Sequence, residues 1–315
     1  MLTNWTISED VFFPIATVFA TLYVLIFLLA TVLNGILVII TIKSKSLHTV
    51  SGFLIGVQAT GDLLATWCLP FFAYNVFRKN FITTSVCYFA QIIPIAAISF
   101  TSTMVLIIGI DRYLIIKYSS WYKRVNKKLY LSALLSIPGL YALGSVVGFY
   151  FVAADQNVVV CFVTAAMRGF VKNIWEGSQS VMNVAVIVVY NKVKNALKKT
   201  AQMKDEDSKK IFASLYLIMV WYICGWVASI TMLLITQALT HEYTLHVIAV
   251  IIDDFSILLT QTVEYIVSSC AASSMLVPIF VYYRRSCMYN MEIRRLFGLT
   301  PKIVVSLTTR TSPYA

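Results

Sequence analysis

Long apolar runs separated by short polar stretches dominate the hydrophobic pattern of this chain. In the strongest of them, such as Ile15–Ala30 and Leu215–Val227, apolar residues occupy the whole helical circumference. Neither the alternation of a half-buried strand nor the one-sided stripe of a surface helix describes them. A membrane span needs roughly 20 apolar residues to cross about 30 Å of hydrocarbon. Seven segments meet that length, at 15–42, 51–77, 84–118, 129–151, 174–199, 209–239 and 257–285. A lone span must satisfy its own backbone hydrogen bonds in lipid, so each is predicted to be a helix. The expected fold is all-α, an integral membrane bundle of seven helices. Residues 1–14 form an outer N-terminus, 286–298 a further short helix and 299–315 a tail.

Composition agrees with a bilayer as solvent. Of 315 residues 59% are hydrophobic and only 12% charged, about half the charge of an ordinary soluble domain. The net charge of +11 raises nucleic acid as a partner, but its distribution argues against one. The segments placed inside hold 21 of the 25 Lys and Arg, and the opposite side holds Arg78, Lys79, Arg168 and Lys172. By the positive-inside rule the N-terminus lies outside and the C-terminus inside. The first 14 residues contain no Lys or Arg, so the first span is expected to serve as its own targeting signal. Asn4-Trp5-Thr6 is an N-glycosylation acceptor on the outer side. Cys68, Cys224 and Cys270 fall within spans and read as buried hydrophobes, whereas Cys87 and Cys161 lie outside, where disulfides persist.

Single polar residues inside apolar helices carry the functional signal, because each is expensive in lipid. Asp111-Arg112-Tyr113 ends the third span, and a solvated helix end is the plain reading of it. The surroundings argue for more. Cys87 lies 25 residues before Arg112, Asn34 lies 28 residues before Asp62, and Trp121-Tyr122 follows the triplet. With these spacings the chain resembles rhodopsin-like G-protein-coupled receptors over about residues 15–297. Phe280-Val281-Tyr282-Tyr283-Arg284-Arg285-Ser286 followed by Tyr289, with Gly225-Trp226 in helix six, resembles the nematode serpentine chemoreceptor class Srsx.

The resemblance implies roles. Arg112 would be the activation switch, held by Asp111 at rest and released to the G protein when helix six swings outward. Glu206 and Asp207 are a second candidate resting partner, or merely balance Lys204, Lys209 and Lys210 in a wet loop. Tyr282 and Tyr190 would complete the switch, or anchor helix ends as interfacial aromatics, and Trp226 would serve as pivot with Trp221 as its rival. Asn34, Asp62, Thr101 and Ser274 would form a central polar site. Pro278-Ile279 replaces the family's helix-seven Asn-Pro pair, so at most a weak sodium site is expected at Asp62. Cys87 and Cys161 would pair as the disulfide holding the second outer loop to helix three. Cys287 is a palmitoylation candidate at the start of an amphipathic surface helix. Ser306, Thr308, Thr309, Thr311 and Ser312 are candidates for phosphorylation, with arrestin a further candidate partner beside a heterotrimeric G protein.

Ligand class follows by exclusion. Retinal attachment needs a Lys in helix seven, and no Lys occurs between Lys210 and Lys302. The amine receptors' acid in helix three is absent, with Pro94 in its place and no acid from Val86 to Ile110. A mouth with Tyr74, Phe89 and Gln91 suits a small apolar or weakly polar molecule. A peptide meeting Asp253, Asp254 and Glu264 is the alternative. Helix six lacks the usual Pro after its Trp, and Leu245–Ile252 is an apolar run too short to span. A seven-span transporter would need repeats or a row of intramembrane charges, and an intramembrane enzyme would need paired catalytic groups. Neither pattern is present: Asp62 stands alone, and His48, His241 and His246 lie at loops. No cofactor is implied. The expected location is the plasma membrane.

Overall fold

The computed structural model describes residues 9–153, 158–167, 169–199, 262–263, 265–266 and 268–299. Its helices are α1 (Glu9–Lys43), α2 (Val50–Thr66), α3 (Cys68–Phe77), α4 (Thr84–Lys117), α5 (Ser119–Arg124), α6 (Lys127–Tyr150), α7 (Val163–Ala166) and α8 (Gly169–Lys199), followed by α9 (Val277–Arg285) and α10 (Cys287–Leu296). Residues 268–274 are also helical. The expected span at 209–239, with Trp221, Cys224 and Trp226, lies outside the described residues.

Four stretches among the described residues are long and apolar enough to cross a membrane: Phe12–Lys43, Val50–Phe77, Thr84–Lys117 and Lys127–Tyr150. α1 shows why lipid suits them. Val18, Leu25, Leu28, Leu29 and Val32 are all more than half exposed, which water would penalise and hydrocarbon accepts. Its opposite face buries Ala16, Ala20, Tyr23, Ala30 and Leu37.

Sequence boundaries shift in three places. The second span is not one helix but α2 and α3, meeting at Trp67. Pro70 explains the break, since it has no N–H to give the Thr66 carbonyl and its ring crowds that position. The fifth helix starts at Gly169 rather than 174. The last span is interrupted by a turn at 275–276, just before Pro278 at the start of α9.

α4 is the central post, buried along its length from Thr84 to Arg112 and packed against α2, α6 and α8. Close approach is achieved through glycines. A side chain on Gly61 would run into Thr101, and one on Gly109 would run into the Tyr190 ring of α8. At one end, strand β1 (Ile82–Thr83) pairs antiparallel with β2 (Val158–Val159), and the Cys87–Cys161 disulfide ties the same loop to α4 with Cα atoms 5.4 Å apart. At the other end, α10 is capped by Ser286 and, after its C-cap Phe297, is followed by Gly298, whose φ of +67° suits a residue without a Cβ. Cys270, expected to be buried, is exposed, whereas Cys68 is buried.

Candidate functional site

The Asp111-Arg112 pair sits at the end of α4 opposite the disulfide. Asp111 is fully buried, so its charge requires compensating hydrogen bonds. Three hydroxyls donate to it: Ser51 Oγ from α2 at 3.0 Å, Tyr122 OH from α5 at 3.1 Å and Tyr130 OH from α6 at 3.1 Å. Burial, then the negative charge of Asp111 and its hydrogen bond, hold the Tyr122 phenol well above its ordinary value, so it stays a donor at neutral pH. The Tyr122 and Tyr130 rings meet edge to face at 5.5 Å, which fixes both hydroxyls on one carboxylate.

The expected Asp111–Arg112 ion pair is absent among the described residues. Asp111 is instead occupied by the three hydroxyls. Arg112 is 8% exposed, and its buried Nε has no hydrogen-bond partner. Tyr190, Tyr282 and Tyr289 all lie within electrostatic reach of its cation. The Tyr190 hydroxyl is likewise buried without a partner. Tyr282 stacks on Tyr289 of α10 at 4.8 Å between centroids. Burial pushes the Tyr289 phenol up to about 12. Tyr113 approaches the Lys117 ammonium, which sits 5.4 Å from its ring centroid.

A cavity of about 50 Å³ links this end to the middle of the bundle. Asn34, Gln58, Asp62, Ser274, Tyr190 and Tyr282 stand on its walls among Leu37, Ile55, Val105 and Ile108, so a mostly apolar lining carries a few polar groups, and its size admits a few waters at those groups. Three of the four expected central residues therefore meet. The fourth, Thr101, does not line it: its hydroxyl donates to the Ile98 carbonyl at 3.2 Å and its methyl packs at Gly61. Gln58 takes the place instead, donating to Asp62 Oδ1 at 3.0 Å from one turn earlier. Asn34 donates to the Met275 carbonyl at 3.2 Å. That carbonyl belongs to the turn ahead of Pro278, so Asn34 reaches a backbone group in a stretch where the regular ladder is interrupted.

At the disulfide end an aromatic cluster fills the centre. Phe162, next to Cys161, stacks on Tyr23 at 5.6 Å and meets Phe72 at 5.1 Å and Tyr265 at 5.9 Å. Tyr23 OH donates to the Tyr265 carbonyl at 2.8 Å. Gln91 is buried beside Cys161, with its Oε1 lacking a partner. Tyr74 and Phe89, expected at a mouth, are more than half exposed on faces shared with Phe77 and Ile93, away from this cluster.

Sequence reasoning missed Ser51, Gln58, Gly109 and Tyr130. Gln58 had a usable signal, a polar residue four before Asp62 on one helix face. Tyr130 had none, since its partner is 19 residues away on another helix. Cys287 opens α10. Asn4, Glu206, Asp207, Asp253, Asp254, Glu264, Ser306, Thr308, Thr309, Thr311 and Ser312 lie outside the described residues.

Residues 27–297 match the family described as the serpentine-type 7TM GPCR chemoreceptor Srsx. The chain is 25% identical over 148 residues to the C-C chemokine receptor type 8 of Mus musculus, covering 45% of this chain and 41% of that receptor. It is 29% identical over 149 residues to the neuropeptide Y receptor type 2 of Gallus gallus, covering 44% of this chain and 38% of that one. The chain thus spans about two fifths of the length of the curated relatives it matches. The family and these relatives are receptors rather than enzymes. With the buried Asp-Arg pair, the central cavity at Asp62 and the disulfide-anchored loop in one helical bundle, the match over most of the sequence shows that this chain belongs to the Srsx family of G-protein-coupled chemoreceptors.

Proposed function

We propose that this protein is a plasma-membrane chemoreceptor of seven spans, N-terminus outside, which binds a small apolar or weakly polar ligand and activates a heterotrimeric G protein. The observation that carries this reading is Arg112: a buried cation whose Nε lacks a partner, beside the unpartnered Tyr190 hydroxyl and within reach of Tyr282. A buried unpaired donor is costly, so a G-protein segment offering carbonyl or carboxylate oxygens would gain by satisfying it. Asp111, saturated by three hydroxyls, does not compete for Arg112. The tyrosines and the water-sized cavity below them supply a route by which ligand-driven shifts at the disulfide end reach the arginine.

The ligand class draws on the aromatic cluster of Tyr23, Phe72, Phe162 and Tyr265, whose rings suit a flat or apolar molecule. A second reading, a peptide ligand, draws on the relatives, one named for a chemokine and one for neuropeptide Y. The two readings separate when membranes bearing the chain are stimulated with a biological extract before and after protease treatment. Nucleotide exchange that survives protease supports the small molecule. Exchange abolished by protease moves the ligand to the peptide class. Orientation is tested separately with terminal epitope tags. An N-terminal tag should be stained on intact cells and a C-terminal tag only after permeabilisation. The reverse pattern would invert the topology.

A further inference from the structure

A cavity of about 680 Å³ opens on the flank of the bundle near the Asp111 end, between α1, α2 and the start of α6. It is distinct from the central cavity, with which it shares no lining residue. Its walls are of two kinds. Ile42, Phe53, Val57 and Leu131 form an apolar trough, and His48, Lys127 and Lys128 stand along it. Among the described residues no Asp or Glu lines it, and neither lysine has an ion-pair partner.

The trough follows from the sequence of α2. Gly56 and Thr60 fall one turn apart on the same face. Gly56 lets α1 come so close that a side chain there would strike Thr41. Thr60 turns its hydroxyl back to the Gly56 carbonyl at 2.9 Å, leaving its methyl outward. Phe53 and Ile42 beside it are 45% and 68% exposed. His48 is held in place by donating from Nε2 to the Ile42 carbonyl at 3.0 Å. The start of α6 is fixed by Asn126, whose side chain accepts from Lys128 N and Leu129 N.

We infer that this groove is a binding site for one anionic phospholipid, its phosphate held by Lys127 and Lys128 and an acyl chain lying in the trough between Ile42, Phe53 and Leu131. Charge complementarity selects the anion, since among the described residues the two lysines meet no carboxylate. The apolar walls select a lipid over a soluble phosphate, because a free anion gains nothing from them. The volume lies within the 300–1,000 Å³ range of ordinary small-ligand sites. The site rests on the membrane reading of the chain but not on its orientation. Micelles have no inner or outer leaflet, so failure of this test and failure of the proposed topology are distinguishable.

The test uses the full-length chain in a neutral detergent, mixed with equal phosphatidylcholine and phosphatidylserine. Bound lipid is counted by native mass spectrometry. One phosphatidylserine is expected to be retained in preference to phosphatidylcholine. Lys127→Gln with Lys128→Gln should reduce that preference by up to about thirty-fold, each lysine contributing at the usual membrane-surface scale. Lys123→Gln with Arg124→Gln, an equal charge change on α5 outside the cavity lining, should leave it unchanged. Thr60→Trp fills the trough without touching charge and should also displace the lipid. Thermal unfolding of each variant checks that the bundle is intact. Equal losses from the two charge pairs would reduce the effect to general surface charge and overturn the site. Retention in Thr60→Trp, or full competition by glycerophosphoserine lacking acyl chains, would overturn the trough.

Discussion

At the scale of single residues, Asp111 and Arg112 are neighbours in sequence with opposite circumstances. The carboxylate has three donors, while the guanidinium has a buried nitrogen with none. Removing one phenol should be felt as a lost hydrogen bond to a charged group. Tyr130→Phe is expected to lower stability by about 1.5–3 kcal/mol, read as a lower thermal unfolding midpoint of the purified chain. Tyr122→Phe should behave alike, with the double variant losing more than either. An unchanged midpoint in both would mean that the hydroxyls do not support the carboxylate. Gly109 makes a second prediction. A side chain there meets the Tyr190 ring, so Gly109→Val should impair signalling more than surface expression, measured as exchange per receptor at the cell surface. Parallel losses would reduce Gly109 to a packing role.

The tripeptide and its spacing to Cys87 made the acid–arginine pair legible in the sequence. Its partners were not, because which hydroxyl faces Asp111 depends on the rotation of α2 and α6 about their axes. Among uniformly apolar spans that rotation leaves little periodic trace. The same reason hid the turn of Thr101 away from the central cavity, whereas Gln58, four residues before Asp62 on one helix face, was legible.

At the scale of elements, prolines set the departures from straight helices. Pro70 divides the second span into α2 and α3. Pro278 follows the turn whose Met275 carbonyl Asn34 takes. The existence of the spans was readable from hydropathy and their breaks were not, because some prolines inside a span leave the helix unbroken, as Pro94 and Pro138 do in α4 and α6. A double-mutant cycle checks the link. Asn34→Leu leaves a part-buried carbonyl without its donor and should cost about 1 kcal/mol. In a Pro278→Ala background, the N–H gained at 278 can reach the Met275 carbonyl three residues earlier, as the neighbouring turn bonds do, and the cost should shrink. Strict additivity of the two substitutions would contradict the arrangement.

At the scale of the whole molecule, the two ends do different work. The Cys87–Cys161 bond and the β1–β2 pair hold Phe162 in the aromatic cluster, a placement that the positions of two cysteines outside the membrane did not reveal. Cys87→Ser with Cys161→Ser should cost about 2–4 kcal/mol and lower the unfolding midpoint, and a reducing agent should reproduce the shift in the wild type but not in the variant. Between the ends, Asp62 belongs to the small central cavity rather than to either surface. Asp62→Asn is expected to alter signalling more than surface expression, and equal loss of both would assign the residue to folding.

The central claim is that Arg112 transmits activation, and nucleotide exchange tests it most directly. Membranes carrying the wild-type chain and Arg112→Ala, matched for surface expression, are stimulated with the same extract and exchange on heterotrimeric G proteins is measured. Stimulated exchange is expected in the wild type and should be lost in Arg112→Ala. Undiminished exchange in the variant would contradict this role of Arg112.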